Sequence, residues 1–158
     1  MSFDWLLYEE DNFSWTKVID GLNCNSYFQD NPWMNILVNQ GWILKRWVCV
    51  ENESIVAAVQ TFVKLYPFNI GVVWAPEWII GNYQYGSNFT SALSNNLELS
   101  KLYFRFRSSN IFNEEKQMLL LSHGWIKPLK KIDSGLTMTL NLTTPIKDIE
   151  ESSSKNWR

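Results

Sequence analysis

Hydrophobic and polar positions change period several times along the chain, and each change marks an element. In Ser14–Leu22 the apolar residues Trp15, Val18, Ile19 and Leu22 recur at helical spacing, with Ser14 as a possible cap and Gly21 near the end, which predicts a short helix. Asn31–Gly41 repeats the pattern: Asn31 can cap, Pro32 takes the first helical position, Trp33, Ile36 and Leu37 share a face, and Gly41 closes the helix. The period then drops to that of strands. WILKRWVCVE and SIVAAVQTFVKLY flank the polar Glu51-Asn52-Glu53, which reads as a β-hairpin. FNIGVVWAPEWIIG (Phe68–Gly81) opens as a third strand and ends in Trp-Ala-Pro-Glu-Trp. Ser87–Leu102 reads as a helix. Leu102–Ser109 alternates, with Tyr103, Arg105 and Arg107 on one face and Leu102, Phe104 and Phe106 on the other. Asn113–Gly124 is a helix with Asn113 as cap and two acids in its first turn. WIKPLKKI and LTMTLNL read as strands, and a last helix starts near Thr144-Pro145. The expected order is helix, helix, three strands, helix, strand, helix, two strands, helix. That is an α/β (α+β) chain with a mixed, mostly antiparallel sheet flanked by helices on both faces, and residues 1–158 form a single domain without a linker or repeat.

Composition narrows the function classes. A chain of 158 residues can bury a sizeable core. Fourteen basic and sixteen acidic side chains, net charge -2, argue against a DNA-coating surface while leaving room for a small basic pocket. The N-terminus lacks a signal-peptide pattern, and no segment approaches the about 18 uninterrupted apolar residues of a membrane span. Cys24 and Cys49 have neither metal-site nor disulfide-framework spacing, so reduced thiols and a cytoplasmic location are expected. Nine Trp, six Tyr and nine Phe are the unusual feature. Such rings fill cores and also line sugar, peptide and base grooves.

Catalytic side chains are hard to assemble. The one histidine, His123, precedes the helix stop Gly124 and reads as a helix-end residue. G-x-S-x-G, P-loop and dinucleotide fingerprints are absent, and the acids do not cluster as a metal site would require. Neither a catalytic residue nor a metal or cofactor is therefore expected. The strongest polar constellation is Arg105 and Arg107 with Tyr103 on one strand face, where guanidinium forks can hold phosphate or carboxylate. A solvated outer face of an edge strand is the competing reading. Lys64 is a further cation candidate, and Trp74, Glu77, Trp78, Tyr83 and Tyr85 cluster after the third strand, where ligands of open sheets tend to sit.

Several landmarks in order resemble the FemAB-like transferases. YFQDNPWMNILVNQGW is similar to their opening helix with its tryptophan, here Trp33, and ESIVAAVQTFVKLYPFNIGVVWAPEW to their hairpin and the strand running into a Gly-Pro turn. KLYFRFRSS resembles their next strand, LLSHGWIKP their helix ending in Gly-aromatic, and GLTMTLNLTTPIKDIEESSSKNWR the strand and helix leading to a K-x-x-R element. The resemblance covers roughly residues 25–158. It implies a GNAT-like (acetyltransferase-type) lobe, the first of a tandem whose second lobe is absent from this sequence. It also implies acyl or aminoacyl transfer to an acceptor such as a UDP-linked or lipid-linked muropeptide, another envelope precursor or a small amine. Acyl-CoA or aminoacyl-tRNA would be the donor substrate, and the missing lobe or a second copy a partner. Three positions depart from the family pattern: Leu37 replaces a lysine, Ala75-Pro76 replaces Gly-Pro, and Ile79 replaces an acid. An R/Q-x-x-G-x-G/A acetyl-CoA loop is missing. The substrate-binding candidates are Trp33, Lys64, Trp74, Glu77, Tyr83, Tyr103, Arg105 and Arg107, with Trp74 and Glu77 expected to face a groove. A non-catalytic glycan- or peptide-binding module derived from such a lobe is the alternative.

Overall fold

The computed structural model describes residues 3–23, 28, 31–81, 83–107, 113–127, 145 and 147–148; the side chains of 31–33, 80, 81 and 83 are outside that description. Two units separate at Gly124, Met1–Gly124 and Trp125–Arg158. In the second, Lys147 and Asp148 are helical and the Asp148 N–H donates to the Pro145 carbonyl at 3.0 Å. The expected strand LTMTLNL lies outside the described residues, and of WIKPLKKI the described part, 125–127, has no strand geometry.

The first unit runs β1 (Asp4–Tyr8), α1 (Asn12–Gly21), α2 (Asn31–Asn39), β2 (Ile43–Glu51), β3 (Ser54–Tyr66), β4 (Ile70–Ala75), β5 (Ile80–Gly81), α3 (Phe89–Asn96), β6 (Lys101–Phe106) and α4 (Glu114–Ser122). The sheet is ordered β1-β2-β3-β4-β6, with β5 also on β3. All its pairs are antiparallel except β4 with β6. The fold class is the mixed, mostly antiparallel α/β architecture that the pattern predicts. β1 was not expected: the sequence reading began with a helix, because five residues, DWLLY, are too short for alternation to declare itself.

Local chemistry explains the boundaries. Asp11, not Ser14, caps α1, its carboxylate accepting from the Ser14 N–H at 2.7 Å. The β2–β3 hairpin turns on Asn52 and Glu53, at φ 48° and 63°, the paired left-handed residues of a two-residue loop whose twist suits the strands. Gly41, at φ 79°, ends α2 as expected. The helix expected over Ser87–Leu102 is α3 alone, and the chain is already in β6 at Lys101. Between them Leu99 lies against Gly71, where an added methyl would meet its side chain at 2.5 Å.

Period-two alternation sorts the strands onto two faces. One face is an aromatic core beneath α3. Phe89 is fully buried and packs edge-on against Trp5, Trp47 and Phe104, and Trp78 stacks on Phe106 at 4.0 Å. Two of the indole tips there donate hydrogen bonds: Trp5 Nε1 to the Tyr85 carbonyl at 2.8 Å, and Trp47 Nε1 to Thr61 Oγ1 at 3.0 Å. The opposite face receives α1, whose Trp15 and Ile19 pack on Val48 and Ala58. Helices thus lie on both faces.

Candidate functional site

The face beneath α1 and α2 changes character along its width. On β2 and β3, Arg46 and Gln60 pair across the ladder and are buried. Arg46 Nε donates to Gln60 Oε1 at 3.1 Å, an Nη donates to Met34 Sδ at 3.4 Å, and the guanidinium lies 5.2 Å from the Trp15 ring centre. Burial lowers the Arg46 pKa, while Tyr8 and Asp11 act in the opposite sense. Gln60 Nε2 reaches the Phe28 carbonyl at 3.4 Å.

Farther across, on β3, β4 and β6, the same face carries cations among rings. Register aligns Phe62, Trp74 and Arg105 in one row and Lys64, Val72 and Tyr103 in the next. Lys64 Nζ sits 4.7 Å from the Trp42 ring centre, and the Trp42 and Trp74 rings are 6.2 Å apart. The Arg107 N–H continues the β4–β6 ladder by donating to the Ala75 carbonyl at 3.1 Å, and its guanidinium lies 5.4 Å from the Phe28 ring centre. Tyr103 is 61% exposed, and Trp42, Lys64, Trp74, Arg105 and Arg107 are each partly exposed. Lys64 and Arg105 stand two strand spacings and one row apart, about 12 Å, which suits separate anionic groups of one extended ligand. The positions that β3, β4 and β6 place on this face, Ala58 to Tyr66, Ile70 to Trp74 and Lys101 to Arg105 taken alternately, include no acid.

Five of the residues singled out from the sequence, Lys64, Trp74, Tyr103, Arg105 and Arg107, therefore share one face. Trp33 lies in α2 and Tyr83 in the short 3-10 turn Tyr83–Asn88, their side chains outside the described residues. Glu77 corrects the expectation of a groove-facing acid. The segment 75–79 leaves the β3 ladder between Trp74 and Ile80, and Glu77, 5% exposed, is buried with Trp78 and Ile79. Trp78 and Tyr85 likewise belong to the interior, Tyr85 donating its hydroxyl to Glu51 Oε2 at 3.1 Å. The buried Trp78, stacked on Phe106, and Ile79 follow Glu77 and carry it inward, whereas Trp74 stays on the open face. Trp42 was missed as a site residue: it follows the helix stop Gly41, and its sequence signal is only that of a strand-initiating aromatic.

The described residues contain no cluster of three or more His, Cys, Asp or Glu able to hold a metal ion. Cys49 is buried, and burial, helped by Glu51 and Asp4, pushes its thiol up to about 11, so it is an inert core residue at neutral pH. A separate shallow surface depression of about 480 Å³ lies beside α1 and the β2–β3 turn, lined by Tyr8, Glu10, Lys17, Leu22 and Ile55 among others. None of the sequence candidates borders it.

No family model matches the chain, and no curated protein does. Among solved structures the chain is similar to N-acetyltransferases. The ribosomal-protein-alanine N-acetyltransferase of Brucella melitensis biovar Abortus 2308 is 12% identical, with 88% of this chain and 100% of that one aligned at a TM-score of 0.46. An aminoglycoside antibiotic 6'-N-acetyltransferase of Acinetobacter baumannii is 9% identical, with 89% and 100% aligned at 0.49. A GNAT family acetyltransferase of Staphylococcus aureus subsp. aureus USA300_TCH1516 is 13% identical, with 89% and 100% aligned at 0.46.

Proposed function

We propose that the chain is an acyl-transferring lobe of the GNAT type, and that the Trp42–Lys64–Trp74–Arg105 band binds the nucleotide part of its donor or acceptor. The observation that carries this reading is the gathering of Lys64, Arg105 and Arg107 with three open rings on one face of the β4–β6 seam. Guanidinium and ammonium groups hold phosphates, and indole or phenol rings stack on a nucleobase. A nucleoside diphosphate joined to an acyl or sugar-peptide group presents both. Support also comes from the order of the landmarks: α2, the β2–β3 hairpin, β4 running into its turn, β6 and α4 follow one another as the FemAB-like resemblance requires.

Acyl transfer of this kind asks little of side-chain nucleophiles. The acceptor amine attacks the acyl carbon, a C–N bond forms, the C–S or C–O bond to the carrier breaks, and the amine's proton leaves to solvent or the departing group. Holding the two substrates in line supplies most of the acceleration. The finer reading is a FemAB-like lobe acting on an envelope precursor, with a UDP-linked muropeptide as acceptor.

Calorimetric titration of the chain with a UDP-linked muropeptide and, separately, with an acyl-CoA tests both levels. Binding of either that weakens at least about tenfold in Arg105→Ala supports the band as its site. Binding of the muropeptide supports the finer reading, and binding of acyl-CoA alone removes it. No heat with either ligand, or affinity unchanged in Lys64→Ala and Arg105→Ala, overturns the assignment. Tight binding of a neutral glycan instead makes the chain a non-catalytic binding module.

A further inference from the structure

The turn joining β3 to β4, Pro67–Asn69, holds Phe68 at φ 65° and ψ 30°, a left-handed conformation that bulky side chains rarely adopt. Asn69 follows at φ 54°. Ser100, just before β6, tethers this turn. The Ser100 hydroxyl donates to the Phe68 carbonyl and, at 3.2 Å, to that of Asn69, and the Ser100 N–H donates to the Asn69 carbonyl at 2.8 Å. The outcome is a tethered backbone that turns the Phe68 side chain out until it is 89% exposed. Leu65 and Tyr66, 54% and 51% exposed, flank it from opposite faces of β3. A strained, clamped turn with apolar groups at its apex and on both sides is a wedge, not one half of a flat contact.

Charge says what the wedge fits. Tyr66 shares a row with Ile70 and Lys101, and Lys64 shares the next with Val72 and Tyr103. Two lysines thus stand directly behind the apex and outnumber Glu98, which is exposed on the turn before β6. A projecting Phe-Tyr-Leu tip with long cationic side chains set behind it matches the boundary of a bilayer bearing anionic headgroups: rings enter the interface, and lysines reach the phosphates. A protein partner would instead be met by a broad, flat apolar core with a polar rim. The net charge of -2 gives no general attraction to such a surface, so the contact is local to this end of the sheet. No helix among the described residues is long and apolar enough to cross a membrane, and the wedge needs none.

We propose that the Pro67–Asn69 tip is a peripheral anchor that inserts Phe68, with Leu65 and Tyr66, into the surface of an anionic lipid bilayer. The apex lies at the amino-terminal end of β4 and β6, whereas Trp74 and Arg105 lie toward their carboxyl ends; Lys64 belongs to both, so Phe68 and Lys101 carry the test of the anchor. Co-sedimentation of the intact chain with vesicles of mixed phosphatidylcholine and phosphatidylglycerol tests it, with pure phosphatidylcholine as the comparison. Binding is expected to the mixed vesicles, weakening in high salt. Phe68→Asn should lower it by about tenfold, yet keep or raise the melting temperature because asparagine tolerates the left-handed backbone. Lys101→Glu should lower it by about fivefold. The anchor is overturned by absence of vesicle binding, by equal binding to both vesicle types, or by unchanged binding of the Phe68→Asn protein. A concentration-dependent dimer that dissociates in Phe68→Asn, without vesicle binding, would reassign the tip to contact between copies of the chain.

Discussion

The two faces of one sheet obey opposite rules. Beneath α3 the buried positions of β1, β2 and β3, apart from Thr61, are apolar, and Phe89 closes the layer as a keystone touching four other rings. The opposite face buries an arginine and a glutamine beside Trp15, then opens into lysine, arginine and partly exposed indoles. The first face is built from non-directional area burial, which is worth most when closed. The second carries hydrogen bonds and charges, which retain value only where geometry or solvent satisfies them. Stability is therefore expected to concentrate on one side of the sheet and recognition on the other.

That division can be broken by substitution. Phe89→Ala should be the most damaging change, costing about 3–5 kcal/mol because a large ring leaves a cavity among rigid neighbours. Urea unfolding measures it, and a loss below about 1 kcal/mol would mean that the aromatic layer is not the foundation. Cys49 tests the dryness of the same face through pH. Its folded pKa of about 11 lies above the ordinary value of 9.0. Its contribution is thus complete below pH 9 and lost as pH rises through 11, a fall of roughly 2–3 kcal/mol. The difference in urea midpoint between Cys24→Ser and Cys24→Ser/Cys49→Ala proteins across this range isolates it; parallel curves would show a wet thiol.

The other face should respond differently. Arg46→Ala removes the buried Nε donor to Gln60 Oε1 and is expected to cost about 1–3 kcal/mol, again by urea unfolding. Lys64→Ala and Arg105→Ala, only partly buried, should shift stability by less than about 0.5 kcal/mol while removing ligand binding. If either unfolds the chain, the band is architecture and not a surface for recognition. The smallest effect belongs to Asp11. Its carboxyl pKa is lowered chiefly by hydrogen bonds from Ser14, so its capping of α1 is present above the ordinary carboxylate value and lost as pH falls through the lowered one. Asp11→Ala should flatten this acid limb of an ellipticity titration; an unchanged limb would assign the loss elsewhere.

Much of this division was legible along the chain. Strict alternation in β6 separated Tyr103 and Arg105 from Phe104 and Phe106 correctly, because period two is a property of any strand and needs no partner to be read. The Asn52-Glu53 hairpin and the Asn113 cap, which accepts from the Lys116 N–H at 3.1 Å, were equally visible, since short-range chemistry decides them. Three features were not. DWLLY carries too few residues to show a period and becomes β1 only by pairing with β2. Ser87–Leu102 reads as one helix, but α3 ends at Asn96 and Glu98 takes a left-handed φ of 51° before Leu99 reaches Gly71. Glu77 carries a polar label, and its burial follows from the rings around it.

The sequence alone determined most of the alternation of elements, the Asn52-Glu53 turn and the Asn113 cap, and which residues of each strand lie on opposite faces. Those features depend on interactions a few residues long. Only the tertiary structure decided which face meets α3, that Lys64 on β3 and Arg105 on β6 look out from the same side, and that Phe68 projects from a clamped turn. These depend on strand order and register, where residues distant in the chain become neighbours and each pairing fixes the facing of the next.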